Sequence, residues 1–524
     1  MQRHLSEFFT KEIKEKSGLI NIDGSNDPLI TGLEFDSRKI KPGYLFFALP
    51  GIHTDGNLYI NDAIKRGALA VVYENEIKEK QSGIVYIKVK NSRFSMSPVS
   101  ASFYNFPSLD LLVTGVTGTE GKSTTVFFIW QLLTLLGKKA GFISTVQYCI
   151  GSEIIWNSEH QTTPEAPVIQ RLLREMADNG CEYAVLESSS HGLSPRTNRL
   201  GDVNFCSGVL TNLTHEHLEF HGTWEQYRDD KANLFRALDR WTPSIASEKN
   251  KLFSGPFGVV NADDKNSQFF INNTHHKTFT FSPEGREGDI VLETIESSSL
   301  GNWYTVLLPA LNERIDVRDQ LPGAFNAANV LASLLVVSGL LKLPLRVITP
   351  FVKDLEPVKG RMTAINKGQP FEVVVDYAHT PSSFQKIFPP LRTRLDKTES
   401  RIISVFGSAG ERDTKKRPEQ GEIASEYSDI VILTDEDPRC EDSMDILEEI
   451  AKGVKQKREE NLFLIPDRPL AIRKALSIAQ KGDLVLLLGK GHENSIIYAD
   501  HVVPYDEITE TEKALSELGF TEQK

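Results

Sequence analysis

Cysteine is scarce in this chain: four residues in 524, Cys149, Cys181, Cys206 and Cys440, scattered and without a CxxC pair. That excludes a disulfide framework and a cysteine-built zinc centre as organising features, and reduced thiols are expected. Long apolar runs are also missing. None approaches the ~20 residues of a membrane span. The first sixteen residues mix both charges and lack the apolar stretch of a signal peptide. No membrane insertion and a cytoplasmic location are therefore expected. Positive charge is in the minority, with 59 Lys and Arg against 71 Asp and Glu and a formal net charge of −12. Such a balance argues against a nucleic-acid partner, although a local basic site can still hold an anionic substrate. There is no internal repeat and no low-complexity segment. With 40% hydrophobic and 25% charged residues, the composition is that of a globular protein, and the length calls for two to four domains.

What is present begins with Val113-Thr114-Gly115-Val116-Thr117-Gly118-Thr119-Glu120-Gly121-Lys122-Ser123-Thr124-Thr125. An apolar run, 111–113, leads into it, and a helical pattern, 124–136, follows. Strand, glycine-rich turn and helix start, in that order, make a phosphate cradle. Glycines let backbone N–H groups approach the phosphates, and the helix N-terminus adds partial positive charge. In this reading Lys122 reaches the β/γ-phosphates and the Ser123 hydroxyl holds magnesium. The general motif would place its first glycine at position 116, where valine stands. The run is the shorter G-T-x-G-K-S form.

Around this loop the chain divides into units of 1–107, 108–355 and 356–524. In the first, the pattern predicts a strand in Pro42–Ala48, a helix over Asn61–Gly67 and a strand over Ala68–Val72, with polar loops at Asp36-Ser37-Arg38 and His53–Gly56. The second has apolar strands at Tyr183–Leu186, Gly208–Leu210 and Phe257–Val260 and a helix over Ala166–Asp178, which implies a mostly parallel sheet covered by helices. The third has strands at Phe371–Val375, Ile402–Phe406, Ile430–Leu433 and Leu484–Leu488, alternating with helices over Ser443–Lys457 and Pro469–Gln480. That is a second doubly wound α/β domain, and ligands in such sheets bind beyond the carboxyl ends of the strands. All four ends are polar here: Asp376-Tyr377-Ala378-His379, 407–413, 434–439 and 489–493.

Three further places carry chemistry. Glu187 closes a strand, where a P-loop fold puts a carboxylate beside the metal. After another strand come His215, His217 and His221. The two-residue spacing of the first pair fits no helical zinc motif, while a histidine on magnesium is possible but unusual. Thr223 and Gln226 are spaced as a capping box for the helix that carries Lys231. On spacing alone Lys231 is an ordinary helix lysine.

Taken together, Gly118–Thr125, Glu187–Leu193 and 211–222 with Lys231 resemble the Mur ligases. So do Leu321–Asn329, Gly360-Arg361-Met362, Asp376–Pro381 and Gly489–Glu493. These are the ATP-dependent ligases that build the peptidoglycan stem peptide. The resemblance runs in order along nearly the whole chain. It implies three domains of α/β class: a small N-terminal UDP-binding domain, a central P-loop parallel-sheet ATPase domain and a C-terminal Rossmann-like, amino-acid-binding domain. Asp36-Ser37-Arg38, Thr162-Thr163-Pro164 and Asp437-Pro438-Arg439 look most like the members that extend UDP-N-acetylmuramoyl-L-alanyl-D-glutamate.

The resemblance also implies roles. Ser37 and His53 would lie near the uridine, and Thr162, Thr163, Ser189 and Arg199 would hold the muramoyl dipeptide. Gly118, Thr119, Gly121, Lys122, Ser123 and Thr124 would cradle ATP, with Asn326, Arg361, Asp376 and His379 also contacting the nucleotide. Ser123, Glu187, His217 and Lys231, the last carbamylated by CO2, would hold two magnesium ions. Lys122, Glu187, His217 and Lys231 would be the catalytic set. Asp437, Pro438, Arg439, Gly489 and Glu493 would take the incoming amino acid, and Asp467-Arg468 resembles a further family site. The partners implied are small-molecule substrates, and a monomer is expected.

The chain departs from the family pattern in places. Glu120 stands for the usual Asn, Glu219 for Asp, and 407–410 reads G-S-A-G rather than G-C-G-G. The arginine after Glu187–Leu193 is displaced, so Arg199 is chosen over Arg196. In the amino-acid motif Asp437 replaces Asn while Arg439 is kept. The arginine suits the distal carboxylate of meso-diaminopimelate. The added negative charge suits the distal ammonium of L-lysine, the rival. Other ligases of the superfamily and a non-catalytic nucleotide-binding relative are the remaining alternatives.

Overall fold

A computed structural model describes residues 1–51, 55–77, 79–157, 161–214, 218–298, 301–321, 323–395 and 400–521. His53 and His217 therefore lie outside the described residues. The chain separates into two compact units. The first comprises 1–295, 303–318 and 327–355, and the second 296–302, 319–326 and 356–524.

The first unit contains two sheets. A five-stranded sheet has the order Leu19–Asp23, Val85–Val89, Ala70–Tyr73, Tyr44–Phe47, Gly32–Glu34, parallel except for its first pair. The helix Ser92–Phe103 covers it, started by Asn91, whose side chain accepts from the Phe94 N–H. The rings of Phe103 and Phe8 pack edge to face at 5.0 Å in that core.

An eleven-stranded sheet follows. Its central run is Ala140–Ile143, Tyr183–Glu187, Leu112–Thr117, Phe205–Leu210, Phe257–Asn261, Thr278–Ser282 and Ile290–Ser298, all pairing in parallel. The expected parallel sheet is thus its centre. One edge is finished by Gln147–Cys149 and Ile154–Trp156 and the other by Gly301–Leu308 and Glu313–Arg318, both antiparallel pairs. The connections there are a few residues long, too short for a parallel crossover. Register decides what meets at the carboxyl edge. Glu187 lies opposite Val116, and Leu210 opposite Thr117. The residues after three adjacent strands therefore emerge around the glycine loop. The apolar helix Asn326–Leu341 starts beside Gly323 and buries Val330, Leu331, Leu334 and Val337. Among the described residues no single helix is long and apolar enough to cross a membrane.

The second unit is a six-stranded sheet in the order Thr363–Ala364, Glu372–Asp376, Leu484–Leu488, Ile402–Phe406, Ile430–Leu433, Leu462–Leu464, parallel but for the first pair. The helix expected over 443–457 stops at Ala451. Beyond its C-cap Lys452, Gly453 packs so closely on the Pro418 carbonyl that a Cβ there would collide. The helix Pro381–Arg394 carries Pro389 and Pro390 inside it, which hid it from the sequence pattern. Thr380 and Ser383 form its capping box.

Asp467 and Arg468 bond within this fold. Asp467 caps the helix Arg468–Ile478 through the Leu470 N–H. Arg468, at 0% exposure, donates to Glu507 at 2.8 and 2.6 Å and to the carbonyls of Asp435 and Leu488. It thereby pins two strand ends to the helix Glu507–Glu517. Replacing Glu507 with Leu is expected to strip the buried guanidinium of its counter-charge and cost about 3–5 kcal/mol. Urea unfolding checks this; a loss below ~1 kcal/mol would mean the pair contributes little.

Candidate active site

The glycine loop closes on residues that follow the neighbouring strand. Gly118 (φ +144°) and Gly121 (φ +77°) both occupy the left-handed half of backbone space, and a Cβ on either would strike the Thr211 or the Asn329 side chain. Thr119 N–H donates to the Asn212 carbonyl at 2.8 Å and Glu120 N–H to Asn212 Oδ1 at 3.0 Å. Thr211 Oγ1 and Asn212 Nδ2 return bonds to the Glu120 carbonyl. Gly121 caps the helix Lys122–Leu135, so the loop ends on a helix N-terminus. Thr124 lies in its first turn. Lys122 Nζ rests on the Thr119 carbonyl at 2.7 Å, within the loop it would serve.

Beneath the loop, one oxygen of Glu187 gathers three donors. Ser123 Oγ lies 2.9 Å from Glu187 Oε2, Thr145 N at 2.8 Å and Thr145 Oγ1 at 3.0 Å. Glu187 is 3% exposed. A hydroxyl and a carboxylate side by side at the foot of a phosphate cradle are hard oxygen donors of the kind magnesium takes.

Lys231 is brought here as well. On the helix Trp224–Leu238 it is 2% exposed, with Nζ 2.5 Å from the Gly118 carbonyl and 4.7 Å from the centre of the Tyr227 ring. Tyr227 OH meets Thr119 Oγ1 at 3.0 Å. The expected capping box is half formed. Thr223 accepts from the Gln226 N–H, but the Gln226 side chain donates to Asp230 instead. Asp230 in turn holds His221 Nδ1 at 2.8 Å, and His221 Nε2 lies 3.0 Å from Ser190 Oγ.

The turn after Glu187 holds the next group. Thr163 Oγ1 donates to the Glu187 carbonyl and accepts from the Ser189 N–H, and Ser189 caps the turn 190–193. Thr162 is half-buried beside it. Arg199 donates to the Thr163 carbonyl at 2.7 Å and to Glu165 Oε1 at 2.9 Å. Burial lowers its pKa, Glu165 opposes that shift, and Arg93 adds to it. Arg196 is exposed and turned to the Phe220 carbonyl. Ser37 starts a short turn after Asp36 in the five-stranded domain, and Asp36 pairs with Arg38.

In the second unit the strand ends converge. Both oxygens of Asp376 accept backbone N–H groups, from Met362 and Ala378 at 2.7 Å each, which holds the 360–362 turn against the strand end. The Arg361 guanidinium lies over the Tyr377 ring at 4.6 Å. Asn326 is buried at the start of its helix. His379 Nδ1 faces the Tyr377 carbonyl at 2.9 Å. A carbonyl only accepts, so Nδ1 carries the hydrogen and Nε2 is left as an acceptor. Burial, followed by Lys416, lowers its pKa to about 4. His379 therefore takes up its proton more readily unfolded than folded. Stability from this ring is complete above the ordinary value near 6.5 and drains away as pH falls through about 4. In denaturant titrations from pH 7 to 4, His379→Gln should flatten the decline; an unchanged slope would remove His379 as its source.

Asp437, expected to add negative charge to the amino-acid motif, is bonded within the chain. Its Oδ1 is 2.9 Å from Lys490 Nζ and 3.0 Å from the Ile497 N–H. Lys490, 0% exposed as a side chain, also holds Glu493 Oε2 at 2.6 Å. Arg439 is in the left-handed region at φ +56°, its N–H bonded to the Ile497 carbonyl. Its Nε is buried without a hydrogen-bond partner, and no carboxylate among the described residues pairs with it. Glu436, 7% exposed, has an unpartnered Oε2. Burial raises its pKa, with Lys416 and Lys490 opposing. A Cβ on Gly489 would sit 3.3 Å from that oxygen. The Pro438 carbonyl accepts from the Glu441 N–H at 3.1 Å.

Sequence reasoning left Asn329, Thr145, Tyr227, Lys490 and Glu165 without roles. Each acts through a partner distant in sequence, so spacing carried no signal. The lysine inside Gly489-Lys490-Gly491-His492-Glu493 was the one visible hint.

Comparison with known proteins now decides the family. A model described as the Mur ligase middle domain matches 116–337, one described as the Mur ligase glutamate ligase domain matches 360–491, and one described as the Mur ligase family catalytic domain matches 29–101. A Treponema denticola protein, UDP-N-acetylmuramyl-tripeptide synthetase, is 50% identical over 531 residues, covering 97% of this chain and 98% of its own. The chain belongs to the Mur ligase family. A second Mur ligase, from Clostridium tetani, is named UDP-N-acetylmuramoyl-L-alanyl-D-glutamate--2,6-diaminopimelate ligase. It is 36% identical over 514 residues, covering 97% of this chain and 99% of its own. A solved structure with that name superposes with a TM-score of 0.61 at 27% identity, covering 97% of this chain and 99% of that one. The architecture is accordingly the three-domain Mur ligase arrangement of α/β class.

Proposed function

We propose that this Mur ligase joins meso-diaminopimelate to the D-glutamate γ-carboxylate of UDP-N-acetylmuramoyl-L-alanyl-D-glutamate at the expense of ATP. Domains of 1–107, 108–355 and 356–524 would take the UDP moiety, ATP and the amino acid respectively, in a cytoplasmic monomer. The names of the relatives support the reaction, although the Treponema denticola name leaves the amino acid open. The observation that carries the choice of amino acid is the state of the two motif side chains. Asp437 already accepts from Lys490, which it shares with Glu493, whereas Arg439 Nε is buried without a partner and no carboxylate among the described residues pairs with that side chain. A pocket with a spare guanidinium calls for a carboxylate, and diaminopimelate has a distal one where lysine has none. L-Lysine remains the second reading, because Glu436 and Glu493 add negative charge to the same pocket.

A carboxylate resists attack by an amine because it is anionic and has a poor leaving group. The γ-carboxylate oxygen attacks the γ-phosphorus of ATP, the bond to the β,γ-bridging oxygen breaks, and ADP leaves an acyl phosphate behind. The loop N–H groups orient the phosphates, and Lys122 swings from the Thr119 carbonyl onto them. Ser123 and Glu187 would hold magnesium, which when bound supplies positive charge between the two anions. Lys231, if carbamylated, would keep one N–H for the Gly118 carbonyl and would add negative charge suited to such an ion. The neutral amine then attacks the acyl carbon and phosphate departs, with no protein nucleophile required. The buried Ser190–His221–Asp230 array is no hydrolytic triad in this scheme, since it ties the substrate turn to the Lys231 helix.

The test is phosphate release with ATP, magnesium and the UDP-dipeptide, offering meso-diaminopimelate, L-lysine or no amino acid. Dependence on diaminopimelate is expected. Dependence on lysine would transfer the pocket to its carboxylates, and no release with either would overturn the reading.

A further inference from the structure

One polar cluster in the first unit joins Arg199 to two residues given no role so far, Glu165 and Arg93. Glu165, 4% exposed, follows Thr162-Thr163-Pro164 and receives two arginines on a single oxygen. Arg199 reaches Oε1 at 2.9 Å from the side of the substrate turn. Arg93 reaches the same Oε1 at 2.8 Å from the helix Ser92–Phe103 of the five-stranded domain. Two guanidinium charges share one carboxylate, so the cluster keeps one uncompensated positive charge.

Its donor capacity is also unfilled. Arg199 Nε is buried with no partner among the described residues. Arg93 uses only NH1, and its side chain is 30% exposed, so one edge of its guanidinium is open. The burial that lowers the pKa of Arg199 is reinforced by the second arginine, a strain that a bound anion would relieve. The cluster also connects to the presumed reaction centre. Arg199 donates to the Thr163 carbonyl, and Thr163 Oγ1 donates to the carbonyl of Glu187.

The proposed substrate poses a matching problem. D-Glutamate in the UDP-dipeptide has two carboxylates. The γ-carboxylate is to be phosphorylated and the α-carboxylate must stay inert, yet both are anionic and only a few bonds apart. An enzyme that activates one has to hold the other away from the γ-phosphate. A partly buried site with one spare positive charge, next to the residues taken to bind the dipeptide, suits that second carboxylate.

We propose that Arg93, contributed by the N-terminal domain, is a specificity-determining residue that with Arg199 binds the α-carboxylate of the D-glutamyl end. The inference rests on the UDP-dipeptide reading above. It also gives the N-terminal domain a part in choosing the carboxylate, beyond anchoring the nucleotide.

The experiment compares parent, Arg93→Lys and Arg93→Met with two acceptors. One is UDP-N-acetylmuramoyl-L-alanyl-D-glutamate, and the other its D-isoglutamine analogue, in which the α-carboxylate is an amide. With the natural acceptor, Arg93→Met should raise KM about 10–100-fold, the size of a charge-assisted hydrogen bond, with the KM for ATP unchanged. Arg93→Lys should recover part of the loss. With the amide acceptor the parent should already be impaired and the variants should differ from it by less than about twofold. An equal loss on both acceptors, or a shift in the KM for ATP, would overturn the proposal and leave Arg93 a structural residue. Parent turnover on the natural acceptor tests the underlying reading separately; an inactive parent would overturn both.

Discussion

Lys231→Ala is expected to lower turnover by at least about 10²–10³-fold, the range seen when one electrostatic element of a transition state is removed. ATP binding should stay within a few-fold. The separation follows from where the lysine sits. Its Nζ is bonded to the Gly118 carbonyl and the residue is 2% exposed, while Lys122, which would grip the nucleotide, makes its own bond to the Thr119 carbonyl. Lys231→Arg distinguishes the possible roles. Arginine can restore a cation and a donor to Gly118, but it does not take up CO2 at neutral pH. If the group acts as a carbamate, the arginine variant should be as inactive as alanine. The parent should then show a carbamate resonance with 13C-labelled CO2 that both variants lack. An active arginine variant would make Lys231 a cation that props up the loop, and the carbamate would be withdrawn.

Arg439→Ala should reduce kcat/KM for meso-diaminopimelate about 10²-fold or more and leave the use of L-lysine unchanged or improved. A guanidinium–carboxylate pair contributes roughly 1.5–3 kcal/mol per charged hydrogen bond. Here Nε has no hydrogen-bond partner, and no carboxylate among the described residues pairs with the side chain. The backbone should tolerate the change, because the N–H bond to Ile497 and the turn at φ +56° remain. Asp437→Asn is a useful contrast. Asp437 shares Lys490 with Glu493, so its loss should leave Lys490 to Glu493 and alter selectivity much less than the arginine change. Initial rates with each amino acid, for both variants, decide the matter. Equal losses on diaminopimelate and lysine after Arg439→Ala would show that the side chain shapes the domain and does not read the substrate.

Several features were legible in the sequence because they are local. Strand, glycine turn and helix start between Leu112 and Leu135 follow from apolar patterning and from two glycines whose backbone angles other residues resist. The helix Ala166–Asp178 and the strands Ile402–Phe406, Ile430–Leu433 and Leu484–Leu488 were read with their observed limits. Motif order along the chain was enough to point to the family. Patterning failed after Ala451, where the helix stops and Gly453 packs against the Pro418 carbonyl, and at the antiparallel sheet edges.

The sequence by itself determined which residue types are available: a phosphate loop, a carboxylate at a strand end, a lysine on a following helix, an arginine in an amino-acid motif. Tertiary structure decided their electrostatic state. Lys231 meets Gly118 across 113 positions, Lys490 bonds Asp437 across 53, and Arg93 and Arg199 converge on Glu165 from different domains. The charge a side chain offers to a ligand is what remains after its buried neighbours have been satisfied. That remainder depends on sheet register and domain packing, which spacing along the chain does not encode.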